Sequence, residues 1–413
     1  MRKFVALALI QLGFLAACGG GGGYGGGGGP PPPPPTQTIA TPGMPNVEKM
    51  TVDAGPAGVN AVNTAYISVK VCVPGSTTLC KTIDHIEVDT GSIGLRIMSS
   101  VLTTAPAITL PAETNGTNPL AECLQFADGT SWGSLAIADI QLPVSGETAT
   151  NLHVQVIGDP AYPTVPTDCT GIPENTVVSF GANGILGVGP FIQDCGSACV
   201  AAVTPFPVYY SCPSPSTCAA ANVGLTLQVQ NPVTLFTTDN NGVIVELPAV
   251  GTAGSTPITG SLVFGIGTRA NNALGTATVL PEDPITGYIT GTYKGTVYVN
   301  GYLDSGSNGN YFTDSSLTLC PSPNGGFYCP TSTMSETATL KGANAATLTA
   351  NFSVANADTL FSVASYTAFS NLGGPISDPM AFDLGLAFFY GHNVFTAIEN
   401  ANTSGGIGPY FAY

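Results

Sequence analysis

His85-Ile86-Glu87-Val88-Asp89-Thr90-Gly91-Ser92 and Asn300-Gly301-Tyr302-Leu303-Asp304-Ser305-Gly306-Ser307 are the two stretches on which the fold turns. Each runs from an apolar residue into Asp, a small hydroxyl residue, Gly and Ser. The chain holds no other Asp-[Ser/Thr]-Gly triplet. One copy alone reads as an Asp-Gly turn of the kind common in β-proteins. Here, however, each copy is followed by a second element. Asn183-Gly184-Ile185-Leu186-Gly187 ends 98 residues after Asp89, and Phe382-Asp383-Leu384-Gly385 ends 81 residues after Asp304. A two-part motif that recurs in the same order marks an internal duplication.

The background around the motifs is β. Thr64 to Val71 and Leu135 to Leu142 alternate with period two, the mark of half-buried strands. Leu235 to Val245, with Asn241-Gly242 at its turn, reads as a hairpin, since Asn-Gly supplies the positive φ such turns require. No window carries a long 3.6-residue stripe, and 52 Gly with 34 Pro suit turns and strands. The expected class is all-β. Charged residues are only 8% of the chain, with nine Lys+Arg against 25 Asp+Glu and a net charge of −16. That excludes a nucleic-acid binder, which needs clustered cations, and helical bundles with Glu/Lys/Arg faces. So few cations also predict few buried Lys/Arg–carboxylate pairs. His85, His153 and His392 are scattered, without carboxylates at ligand spacing, so no metal and no cofactor is expected.

Residues 1–18 read as an export signal: Arg2 and Lys3, then an uncharged apolar run too short to span a bilayer. It ends Leu15-Ala16-Ala17-Cys18. Residues 19–45 begin with Gly around Tyr24 and continue into Pro30–Pro35, a flexible coil followed by a stiff rod, and read as a tether. Ten further Cys remain, an even number that suits disulfides in an exported chain. Cys72 with Cys80, and Cys320 with Cys329, are close enough to staple single loops. Cys195, Cys199, Cys212 and Cys218 are expected to pair among themselves, leaving Cys123 and Cys169.

The duplicated loops resemble those of the pepsin-like aspartic peptidases. In that family each of two β-lobes contributes one Asp-[Thr/Ser]-Gly loop, crossed beneath by an apolar-apolar-Gly strand. Phe126-Ala127-Asp128-Gly129-Thr130-Ser131-Trp132-Gly133 looks like the hairpin flap that closes over substrate, and Gly260-Ser261-Leu262-Val263-Phe264-Gly265 like the strand opening the second half. The run from Leu384-Gly385 to Gly408-Pro409 follows the order of a pepsin-like C-terminus. The resemblance implies a bilobal fold, with an N-terminal lobe over 46–248 and a C-terminal lobe over 249–413. Departures are Phe126, where the family usually has a flap Tyr, Leu386, where it usually has an acid, and a Cys-rich insertion at 190–222. Cys18 resembles the lipidated Cys of a bacterial lipobox. With Gly19 after it, the chain is similar to an uncharacterised group of outer-membrane lipoproteins with Gly-rich tethers, anchored by Cys18.

The resemblance assigns Asp89 and Asp304 as a catalytic pair hydrolysing peptide or protein substrates, in a monomer. Two carboxyls held close share one proton and titrate as a unit. One then activates a water while the other protonates the carbonyl oxygen. Gly91 and Gly306 would bring N–H groups to the carboxylates, Thr90 and Ser305 would bond across to the opposite loop, and Ser92 and Ser307 would bond their own Asp. Phe126, Asp128, Gly129 and Thr130 would meet substrate. Two rivals stand beside this reading. Gly129-Thr130-Ser131-Trp132-Gly133 fits the G-x-S-x-G elbow of a serine hydrolase, which requires a strand before the Ser and a helix after it. The other is a non-catalytic envelope protein binding peptide or glycan in the cleft. Tyr302 and Trp132 are read as subsite or core residues, and Asp53 and Asp239 as solvated turn residues.

Overall fold

The computed structural model describes residues 37–201 and 207–413. The export signal, Cys18 and residues 19–36 of the expected tether lie outside them. The protein is all-β, as its alternating sequence dictates, and among the described residues no helix is longer than five residues. Two large sheets make up the body, one of sixteen strands and one of seven.

Six strands of the larger sheet close into a ring: Thr130–Gln141, Thr148–Ile157, Ile93–Met98, Gly184–Val188, Cys80–Asp89 and Ala65–Cys72, the last pairing back to the first. Their inward residues, among them Val69, Ile86, Val88, Leu95, Ile97 and Val154, are fully buried or nearly so. The sheet then continues through Val47–Val52, Ile258–Phe264, Gly242–Glu246, Asn393–Ala397 and Tyr410–Ala412. Position 248, the expected boundary, falls in the link between two strands that are neighbours in this one sheet. The seven-stranded sheet runs Thr347–Val354, Met334–Lys341, Ile289–Tyr293, Thr296–Asp304, Ala381–Gly385, Asn310–Tyr311 and Gly373–Gly374. Beneath it Tyr293, Phe312, Phe352 and Phe382 pack ring to ring, Tyr293 and Phe312 with centroids 4.9 Å apart. Such aromatic contacts contribute roughly 1 kcal/mol each beyond their buried area.

Three expectations are corrected here. Leu235 to Val245 is not a hairpin. Pro232–Leu235 forms a 3-10 turn capped by Asn231, and the Asn241 side chain is taken up by Ile266, whose backbone N–H it accepts at 2.7 Å. Gly242–Glu246 therefore pairs with the strand that follows it, Ile258–Phe264, and with the distant Asn393–Ala397 instead. Residues 37–45, the end of the expected tether, are docked: Gln37 donates to the Leu247 carbonyl at 2.8 Å, and Ala40 N–H to Glu246 at 2.6 Å. Asp239 is buried, not solvated, and pairs with Arg269 at 2.6 Å.

The scarcity of cations also hides one buried ionic cluster. Arg96 has no exposed side-chain surface and bonds Glu122 at 2.8 Å and Asp194 at 2.9 Å. Its Nη1 donates to the Ile93 carbonyl at 2.6 Å, just beyond the Asp89 loop. Burial, then the neighbouring Glu122, hold Asp194 well above the usual carboxylate range.

All ten Cys of the body are bonded: Cys72–Cys80, Cys123–Cys169, Cys195–Cys199, Cys212–Cys218 and Cys320–Cys329. Such a set suits a periplasmic or extracellular protein. Among the described residues no helix is long and apolar enough to cross a membrane.

Candidate active site

Both Asp loops sit at strand ends, and both are backed in the same way. Cys80–Asp89 runs parallel to Gly184–Val188 with Asp89 opposite Gly187. Thr296–Asp304 runs parallel to Ala381–Gly385 with Asp304 opposite Gly385. The glycines are required by close approach. A Cβ on Gly187 would lie 2.5 Å from the Ile93 nitrogen, and one on Gly385 would lie 2.5 Å from the Ser307 carbonyl. The two Leu-Gly runs read from the sequence thus lie against their loops.

The loops meet. Thr90 N–H donates to Ser305 Oγ at 3.1 Å, and Ser305 N–H donates to Thr90 Oγ1 at 2.9 Å. Each hydroxyl then reaches a carbonyl of the opposite strand, Thr90 to Leu303 at 3.2 Å and Ser305 to Val88 at 2.8 Å. Gly91 N–H donates to Asp89 Oδ1 at 2.8 Å and Gly306 N–H to Asp304 Oδ1 at 2.7 Å. Ser92 donates to Asp89 Oδ2, and Ser307 to Asp304 Oδ2 at 2.8 Å. All eight loop residues proposed from the sequence are therefore assembled in one place. Gly91 and Gly306 have a further reason to lack a side chain. A Cβ on Gly91 would lie 2.6 Å from the Asp304 carboxyl carbon, and one on Gly306 2.4 Å from Asp89 Oδ1.

The two carboxyls hydrogen-bond each other, and both side chains are buried. Asp304 is held well above the usual carboxylate range, first by burial and then by the neighbouring charges of Asp89 and Asp383. Burial also pushes Asp383 up to about 8. A buried carboxyl with a raised pKa binds its proton more tightly folded than unfolded, so stability grows as pH falls from the raised value toward about 4. Glu246, pushed by burial to about 7, and Glu282, pushed well above its usual range by burial, act in the same sense. Asp314 opposes them at the acid end. Burial tends to raise it, but hydrogen bonds from Ser316 and Lys294 hold it down at about 2, so its contribution is lost below about pH 4. Calorimetry from pH 3 to pH 9 is expected to find the highest Tm near pH 4–5; a maximum at pH 7 or above contradicts these assignments.

A cavity of about 740 Å³ opens beside the pair, lined by Gly306, Asn308 and Tyr311 from the Asp304 side and by Glu87, Asp128 and Phe180 from the other. The hairpin turn of Phe126 to Gly129 bounds it, closed by Phe126 N–H to the Gly129 carbonyl at 2.8 Å. Phe126 is buried edge-on against Phe180, with centroids 5.6 Å apart, while Asp128 is exposed at the cavity. Gly129 and Thr130 face away from open space: Thr130 bonds Thr170 and Ile172, next to the Cys123–Cys169 bridge. The turn is thereby fastened to residues 170–174.

Other candidates take structural places. Ser131 lies inside the strand Thr130–Gln141, fully buried and bonded to Gln155 at 3.0 Å. Having a strand after it, it cannot form a serine elbow, which needs a helix there. Trp132 is core, its Nε1 donating to Tyr162 at 2.9 Å. His153 pairs with Glu113 at 2.8 Å, His85 lies by Asp53 and Asp84, and His392 stacks on Phe388. Cys320, Cys329 and Asp358 are the one grouping of metal-ligand type among the described residues, and both its sulfurs are in a disulfide.

The sequence signature of one family, "Protein of unknown function (DUF3443)", matches residues 42–413. The chain belongs to the DUF3443 family. A search of curated proteins finds no match to it. In this DUF3443 protein the matched span includes both Asp loops, both Leu-Gly strands and all five disulfides. Asp383 was missed in reading the sequence as a site residue. Its signal was a lone acid in an otherwise apolar strand, Ala381-Phe382-Asp383-Leu384-Gly385.

Proposed function

We propose that this DUF3443 protein is an aspartic endopeptidase of pepsin-like, bilobal architecture, held at the outer membrane as a lipoprotein through Cys18. The observation that carries the reading is the reciprocal Thr90–Ser305 bonding, which holds two hydrogen-bonded carboxyls in matching loops. A shared proton needs such contact, and small displacements cost large factors in rate.

Asp304, held well above the usual carboxylate range by burial and by its acidic neighbours, serves as the acid and Asp89 as the base. A water between them attacks the peptide carbonyl carbon and gives its proton to Asp89, while Asp304 gives its proton to the carbonyl oxygen. On collapse the departing amine nitrogen takes the proton from Asp89, and a hydroxyl of the diol returns one to Asp304. Both groups are thus restored. Among the described residues, the only acidic or basic side chains lining the cavity are Glu87 and Asp128, so peptides placing Asp or Glu there are expected to be the poorest substrates.

The test is cleavage of casein and of a peptide library between about pH 3 and pH 7. Ser131→Ala is expected to leave kcat/KM within about twofold of wild type; loss of all activity in a folded S131A protein would favour serine chemistry. The second reading, a binding protein, is favoured by Phe126, which offers no hydroxyl to steady a flap. Peptide binding without cleavage, undiminished in the Asp89→Asn and Asp304→Asn proteins, is its expected result.

A further inference from the structure

The hairpin at the cavity is held by one continuous segment. Cys169 is joined to Cys123, which stands opposite Trp132 across the two strands of the hairpin. Thr130 N–H donates to the Ile172 carbonyl at 2.8 Å, and Glu174 N–H donates to the Thr130 carbonyl at 2.9 Å. Thr130 Oγ1 donates to the Thr170 carbonyl at 2.9 Å, and Trp132 N–H to Asn175 Oδ1 at 2.9 Å. The approach is close: a Cβ on Gly129 would lie 2.4 Å from the Glu174 side chain, and one on Gly171 1.9 Å from Thr130 Oγ1. Thr176 then caps the short helix Val177–Phe180, and Phe180 packs edge-on against Phe126. From there the chain runs into the strand Gly184–Val188, which backs the Asp89 loop.

Resting on the endopeptidase reading, we infer that residues 169–180 are a positioning strap. They hold the hairpin turn of residues 126–129 in place at the cavity, and the Cys123–Cys169 bridge supplies the steadiness for which Phe126 has no hydroxyl. Hairpin, strap and Asp89 loop are tied along one stretch of chain. A hairpin that is already ordered loses little freedom when peptide arrives, so binding keeps more of its contact energy. Without the bridge the hairpin would rest on hydrogen bonds and ring packing alone, and would hold its place only part of the time. The apparent affinity for peptide falls by that fraction. Once peptide is bound, the hairpin is in place with or without the bridge, so the chemical step at Asp89 and Asp304 is left nearly as it was. Loss of the bridge therefore acts on KM far more than on kcat, whereas general damage to the fold removes active protein and lowers the apparent kcat.

The experiment compares wild-type protein with a Cys123→Ala/Cys169→Ala double variant, which keeps both buried positions apolar. The first measurement is hydrogen exchange read by mass spectrometry, which needs no turnover. Exchange over residues 124–132 and 170–175 is expected to quicken at least about tenfold, while Cys80–Asp89 and Thr296–Asp304 stay protected over the same labelling time. The second is steady-state cleavage of a peptide at about pH 4, where KM is expected to rise at least about tenfold with kcat within about threefold of wild type. Wild-type exchange in the double variant overturns the inference, whether or not the protein cleaves peptides. Quickened exchange with KM unchanged overturns it too. Quickened exchange in a protein whose wild type cleaves nothing keeps the strap and overturns the endopeptidase reading instead. Asn175→Ala, with the bridge intact, removes only the acceptor for Trp132 N–H and serves if the double variant does not fold. Its exchange and KM are each expected to rise at least about threefold, and wild-type values of both overturn the inference.

Discussion

Asp89→Asn and Asp304→Asn are each expected to lower kcat/KM by at least about 10⁴-fold, and the double variant to be no worse than either single one. The reason is that the two carboxyls form one acid–base unit. With either replaced, the remaining carboxyl cannot both accept the water proton and supply one to the carbonyl oxygen. Folding should survive, because Asn retains the acceptor for the N–H groups of Gly91 or Gly306 at 2.8 and 2.7 Å. It should even gain at neutral pH, where removing a buried ionisable group relieves like-charge repulsion in the centre. Steady-state kinetics near pH 4 with a fluorogenic peptide, alongside thermal melts, check both halves. Independent, multiplicative losses, or a residual rate above about 1% in either single variant, would remove the dyad from the chemistry.

Arg96→Met is expected to destabilise the protein by about 3–5 kcal/mol at pH 8, the loss typical of a buried ion pair deprived of one partner. The side chains of Arg96, Glu122 and Asp194 are all buried, and among the described residues Arg96 is the one cation paired with the two acids. Without it both must be protonated or stay buried and charged. The penalty should therefore shrink as pH falls toward 4, where protonation costs little. Tyr209 donates to Asp194 at 2.5 Å and would keep part of the cluster in place. The same arginine holds the Ile93 carbonyl, so the Asp89 loop should loosen too. Urea melts at pH 8 and pH 4 measure the difference. A loss below about 1 kcal/mol at both pH values contradicts this role.

Much of the site was legible in the sequence because its parts are local. Asp, hydroxyl residue, Gly and Ser stand in consecutive positions, and the paired Leu-Gly runs recur at similar distance. Each loop then folds the same way for the same steric reasons. What escaped reading depends on contacts distant in sequence. Arg96 meets Glu122 and Asp194 across 26 and 98 residues, and nothing near any of them marks the pairing. Asp239 looked like a turn acid because Asn and Gly follow it, yet Arg269 and Thr268 enclose it. The Asn241-Gly242 signal for a hairpin was locally sound, but Asn231 and Pro232 commit the preceding segment to a 3-10 turn.

The larger sheet was likewise hidden. Val47–Val52 pairs with Ile258–Phe264 across more than two hundred residues, and period-two alternation tells where strands are, not which partners they choose. Asp383 was hidden for a different reason. It stands inside a run read for its Leu-Gly ending, where an acid passed as a neutral spacer. The exposed Asp128 was readable as a hairpin tip, whereas the attachment of Thr130 to residues 170–172 was not. That attachment follows the Cys123–Cys169 bridge, and Cys spacing alone left those two as a remainder, with no statement of what they hold together.

The most direct measurement is incubation of the purified protein with a peptide library from pH 3 to pH 7, with and without a statine-type mimic of the tetrahedral intermediate, read by mass spectrometry. The proton-sharing pair predicts new internal cleavage products that are strongest in acid and disappear when the mimic is present. Intact peptides at every pH, with equal peptide binding by wild type and by the Asp89→Asn and Asp304→Asn proteins, would contradict it.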